Sequence, residues 1–77
     1  MRKIYLIGDL ARETDLSIDT LNYYLRIKLI KEAAKSPRNN YRLFDDKTVE
    51  KIEKIKNLRL KNVPIKMIQK KIKNGIL

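Results

Sequence analysis

The 77 residues leave room for one small domain, whose core supplies only ~3–5 kcal/mol of net stability. Nineteen Lys and Arg against nine Asp and Glu give a net charge of +10, which points to an anionic partner, most commonly nucleic acid. With no cysteine and no histidine, disulfides, thiolate or imidazole metal sites and Cys–His or Ser–His catalytic pairs are excluded, so neither an enzyme nor a cofactor is expected.

Gly8 and Gly75 are the only glycines, so no glycine-rich phosphate loop exists. The paired carboxylates Asp45-Asp46 precede a helical pattern and read as a helix N-cap. Apolar runs are too short to span a membrane. The start "MRKIYLIGDLAR" is basic but its apolar run stops at Gly8-Asp9, too soon for a signal peptide. These features read as a cytoplasmic protein. A lysine-rich proteome with merely basic surfaces would produce the same charge.

In chain order, "IGDLARETD" over 7–15 places Ile7, Leu10 and Ala11 at helical spacing, followed by a turn at Asp15-Leu16. The second helix is expected over 18–27, with Ser17 as N-cap and Thr20 at the third helical position. So tight a junction between two short amphipathic helices suggests a helix-turn-helix over 7–27, although ordinary helical hairpins look similar. Residues 31–44 lose the helical period. Pro37 and Asn39-Asn40 mark a hairpin tip, since Asn tolerates positive φ, with strands near 33–36 and 41–44. A basic hairpin after a helix-turn-helix is a wing. A third helix over 45–62 carries Val49, Ile52, Ile55 and Leu58 on one stripe, and Val63-Pro64 breaks it. A fourth over 64–73 carries Ile65, Ile68 and Ile72, and "KNGIL" reads as a frayed tail. The fold class is mostly α with a small β-hairpin wing, a four-helix winged helix-turn-helix.

Tyr23 and Tyr24 are neighbours in the second helix. A turn of about 100° per residue separates their faces. With Leu21 at the centre of the buried arc, Ile18, Tyr24 and Leu25 share it. Tyr23 faces outward beside Asp19, Asn22 and Arg26. Tyr hydroxyl, Asn and Arg can all donate to phosphates or base edges. An exposed aromatic without function, or one packed under the wing, would fit the same geometry.

"YLIGDLARETDLSIDTLNYYLRIKLI", "NNYRLF" and "TVEKIEKIKNLRLKNVPIKMIQKKI" together resemble the DNA-binding domain of MerR-type transcription regulators. The resemblance covers about residues 4–72 and rests most on the Tyr-Tyr pair combined with the Tyr-Arg wing. It implies that Ser17, Asp19, Asn22, Tyr23 and Arg26 lie at or near the major groove of double-stranded DNA. It implies that Tyr41 and Arg42 grip phosphates from the wing. Arg59 matches a basic position near the DNA backbone, and Arg38 at the hairpin tip is a looser candidate. RNA polymerase at a promoter is the further partner the resemblance implies.

Several positions depart from the family pattern. Asn22 stands where Arg is usual before the tyrosine pair, and Leu25 where Glu is usual after it. Asp15, Lys28, Asn40 and Asn62 stand where turn glycines are typical. Asn and Asp accept a left-handed backbone, whereas Lys28 should cost on the order of 1 kcal/mol there. Such regulators normally continue into a dimerising helix and an effector domain. This chain is accordingly expected to be a monomer, and a dimer as part of a longer regulator. An excisionase-like architectural DNA-binding factor without an effector domain is the alternative. A basic amphipathic segment, "KMIQKKIKNGIL", binding protein or an anionic membrane is a third reading, disfavoured because its isoleucines are needed in so small a core.

Overall fold

The computed structural model describes residues 3–76; Met1, Arg2 and Leu77, the last residue of the expected tail, lie outside them. Helix α1 (Ile7–Thr14) opens where Asp9 Oδ2 accepts the Leu6 N–H at 3.1 Å. Helix α2 (Ile18–Arg26) opens at Ser17, whose Oγ accepts the Thr20 N–H at 3.0 Å. That bond satisfies one of the unpaired donors of a helix start. Strand β1 (Ala34–Lys35) pairs antiparallel with β2 (Arg42–Leu43), Ala34 facing Leu43 and Lys35 facing Arg42. Helix α3 (Asp46–Leu60) is capped by Asp45, and α4 (Ile65–Lys73) is entered through Pro64.

Helices α2 and α3 stop one or two residues earlier than periodicity suggests, α4 ends at Lys73 as expected, and all three end by one device. After α2, the Lys28 N–H bonds the Leu25 carbonyl at 3.2 Å and the Leu29 N–H bonds the Tyr24 carbonyl at 2.8 Å. Asn62 and Val63 repeat this pair of bonds after α3, and Gly75 and Ile76 after α4. This is the Schellman ending, which requires a left-handed residue just past the helix. Asp15 plays that part after α1, and its φ is 59°. Lys28, Asn40 and Asn62 have φ of 63°, 62° and 62°. The four positions where the family resemblance implies glycine are thus all left-handed here, and Lys28 alone is neither glycine nor Asn/Asp.

The core joins Leu10 of α1, Leu21 and Tyr24 of α2, Ile52 and Ile55 of α3 and Ile68 of α4 around Phe44. Leu29 and Ile30, in the segment leaving α2, are buried with them. Ile18 corrects the expected buried arc of α2: it is 45% exposed. It is the first residue of α2, and its angular position alone does not bury it. Leu25 packs partly buried against the core, as the arc requires. The strands are shorter than expected, two residues each instead of four. The hairpin is extended by a bridge from the N-terminal segment instead. Tyr5 and Phe44 exchange two backbone hydrogen bonds of 2.8 Å.

Three side chains tie distant elements together. The Tyr5 hydroxyl donates to Asp46 Oδ1 at 2.8 Å. The acceptor carboxylate, together with burial, pushes the Tyr5 phenol up to about 12. Lys56 Nζ donates to the Thr14 carbonyl at the end of α1, at 2.6 Å. Gln69 Nε2 donates to the Ile27 carbonyl at the end of α2, at 3.1 Å. Helices α3 and α4 therefore cap the carbonyl ends of both helices of the helix-turn-helix, where orphan acceptors remain.

Candidate nucleic-acid interface

Helix α2 separates its two tyrosines. Leu21 and Tyr24 are 0% and 7% exposed and face the core, while Tyr23 is 42% exposed. Asp19, Asn22 and Arg26 are also exposed. The Arg26 guanidinium lies over the Tyr23 ring, 5.8 Å from its centroid. An exposed contact of this kind contributes about 0.5–1 kcal/mol and restrains a side chain that would otherwise sample many rotamers. Ser17 stands at the entry to α2 with its hydroxyl held in the N-cap and 2.8 Å from Thr20 Oγ1.

Helix α1 and the wing enclose an open groove of about 700 Å³. Gly8 and Arg12 of α1, Asn22 of α2, and Lys35, Tyr41 and Arg42 of the hairpin line it. Three residues singled out in the sequence, Asn22, Tyr41 and Arg42, therefore meet at one groove. Arg12 and Lys35 join them, and neither was singled out. Their signal was slight: one basic residue on the polar side of α1, and one in the strand paired with Arg42. Arg12 is ion-paired on the helix surface with Asp9.

Arg42 is half exposed, its Nε 3.5 Å from Glu32 Oε1. A solvated pair of this geometry contributes under about 1 kcal/mol, so a phosphate can displace the carboxylate. Tyr41 is 59% exposed, and its backbone N–H is held by Asn39 Oδ1 at 3.2 Å. Arg38 is exposed in the turn at the hairpin tip and does not line the groove. Nor does Arg59, whose Nη1 donates to the Val63 carbonyl at 3.1 Å and closes the turn between α3 and α4. Asp19, Tyr23 and Arg26 lie on the outward face of α2 without lining the groove.

Among the described residues, no cluster of three His, Cys, Asp or Glu could hold a metal ion. No helix among them is long and apolar enough to cross a membrane.

Known proteins share this pattern. The family model for MerR helix-turn-helix regulatory proteins matches residues 5–75. The multidrug-efflux transporter 1 regulator of Bacillus subtilis is 32% identical over 66 residues, which are 86% of this chain and 24% of that protein. The transcriptional regulator BrlR of Pseudomonas aeruginosa is 34% identical over 71 residues, 92% of this chain and 26% of that protein. The chain thus spans about a quarter of the length of these relatives. The crystal structure of a MerR-family transcriptional regulator from Bacillus cereus superposes with a TM-score of 0.84. It covers 91% of this chain and 52% of that one at 23% identity, a likeness of fold. The winged helix-turn-helix, its left-handed turns and the family match across nearly the whole chain agree: this protein belongs to the MerR family of helix-turn-helix regulators.

Proposed function

We propose that the chain binds double-stranded DNA in a sequence-dependent manner, as the DNA-binding module of a transcription regulator. One observation carries this reading. Asn22 of α2 and the wing cations Lys35 and Arg42 line a single open groove, so the second helix and the wing present polar and cationic side chains to one space. In the proposed complex α2 enters the major groove, which is wide enough for a helix. Asn22 and Arg26 donate to base edges or phosphates, Asp19 is suited to accept from cytosine, and Tyr23 supplies a ring and a hydroxyl. Tyr41, Arg42 and Arg38 of the wing, with Lys35 and Arg12, hold phosphates and set the register, and Ser17 and Arg59 lie near the backbone. On this reading the isolated chain occupies one half-site as a monomer. A longer regulator carrying it would bind as a dimer and act on RNA polymerase at a promoter.

The test is selection of bound duplexes from a random pool, followed by titration of the selected duplex across salt concentrations. Five cations on or near phosphates, Arg12, Lys35, Arg38, Arg42 and Arg59, predict that log affinity falls with log salt at a slope of about −4 to −5. A flat salt response would remove the phosphate clamp from the account. Cooperative coating of repeated sites without a preferred half-site would favour an architectural factor instead.

A further inference from the structure

A second groove, of about 460 Å³, lies where the end of α2, the segment after it, the wing, α3 and α4 meet. Four cations line it, Lys28, Lys31, Arg42 and Lys51, against a single carboxylate, Glu32. Its remaining walls are apolar: Leu25 and Ile72 are half-buried there, beside the flank of Leu29. The volume lies within the usual range of small-molecule sites. We infer that this groove binds a small amphipathic organic anion, a carboxylate or sulfonate carried on an apolar body.

Two independent observations support the inference. The first is the pairing of surfaces. A bare phosphate would use the cations alone and leave the apolar walls at Leu25 and Ile72 uncovered. An amphipathic anion places its charge among the lysines and its body against Leu25 and Ile72. The second is the backbone at Lys28. The Schellman turn after α2 needs a left-handed residue, and the chain meets the same need with Asp15, Asn62 and Gly75 elsewhere. Lysine is poorly suited to φ of 63°, because its Cβ crowds the following carbonyl. Strain held at a lysine that lines a cationic groove marks a side chain kept for its charge. Arg42 lines both grooves, so an anion bound here draws it away from phosphate. That consequence rests on the proposed function; the site itself does not.

The experiment uses octanoate as the probe, followed by amide and methyl NMR of the labelled chain without DNA. Inorganic phosphate and octanol supply the charge and the apolar body separately. Saturable shifts are expected at Leu25, Lys28, Lys31, Lys51 and Ile72, with a dissociation constant on the order of millimolar and severalfold weaker binding of either control. Lys28→Asn should weaken octanoate about two- to fivefold while raising the melting temperature, because Asn relieves the left-handed strain. Lys51→Gln should weaken it similarly with the melting temperature unchanged. Shifts that do not saturate or that fall elsewhere would overturn the site. So would phosphate binding as well as octanoate, or undiminished binding by Lys28→Asn. Because no DNA is present, failure here is separable from failure of the DNA-binding reading.

Discussion

Replacing each tyrosine of the adjacent pair with alanine should produce opposite defects. Tyr24 is 7% exposed and belongs to the cluster formed by Leu10, Leu21, Phe44, Ile52 and Ile55. Truncating a buried aromatic costs about 3–5 kcal/mol, the lost transfer energy plus the cavity. The net stability of so small a domain is of the same size, so Tyr24→Ala should be largely unfolded at room temperature. Tyr23 is 42% exposed, and its aromatic contacts are the Arg26 guanidinium and the rim of Tyr24, whose centroid is 6.2 Å away. Its removal should cost under about 1 kcal/mol of stability. The assays are urea titration followed by circular dichroism, and fluorescence anisotropy with a selected duplex. Tyr23→Ala should remain folded and bind DNA about fivefold more weakly, the value of one ordinary hydrogen bond or contact, ~1 kcal/mol. Tyr23→Phe divides that loss: affinity lost with the hydroxyl means a hydrogen bond to DNA, and affinity retained means contact by the ring. If Tyr23→Ala unfolds the domain while Tyr24→Ala does not, the register of α2 is wrong.

Arg42→Ala should weaken binding to all duplexes alike and reduce the salt slope by about 1, as for a phosphate contact; altered sequence preference in a selection would show base reading by the wing. Gln69→Met, nearly isosteric but without a donor, should cost ~1 kcal/mol and speed amide exchange at the end of α2. Gln69→Lys should restore protection, since Lys56 performs the same capping at Thr14, and equal exchange in both variants would show the hydrogen bond to be idle. The Tyr5 phenol is raised from 10.0 to about 12 in the fold. The unfolded chain therefore releases that proton first, and stability is complete below pH 10 and falls as pH rises toward 12. Melting temperature measured across that range should decline less in Tyr5→Phe, and an equal decline would place the alkaline loss elsewhere.

The four helices were legible because their apolar residues recur at helical spacing and their caps are local. Ser17 and Asp45 needed only the three residues that follow them. The outward position of Tyr23 likewise followed from one rotation angle. What was hidden depends on residues far apart in the chain. The Tyr5–Phe44 bridge joins a single residue pair with no alternating pattern to announce it. Gln69 and Lys56 read as ordinary polar residues on amphipathic helices, and only the packing of α4 and α3 brings them to the ends of α2 and α1. Ile18 misled for the complementary reason: an angular arc says which way a side chain points but not whether a neighbour covers it. At the groove, Asn22, Tyr41 and Arg42 could be singled out through the family resemblance. Arg12 and Lys35 belong to no motif and become neighbours only when the wing folds beside α1.

If α2 and the wing together form the DNA-binding surface, a bound duplex perturbs both of them and leaves α4 alone. Chemical-shift mapping of the labelled chain, titrated with a selected duplex at physiological salt, tests it most directly. Saturable shifts are expected to concentrate at Asp19, Asn22, Tyr23 and Arg26 and at Tyr41 and Arg42, with the exposed face of α4 around Lys66 and Lys70 little changed. Shifts concentrated on that face of α4, with α2 and the wing unaffected, would contradict it.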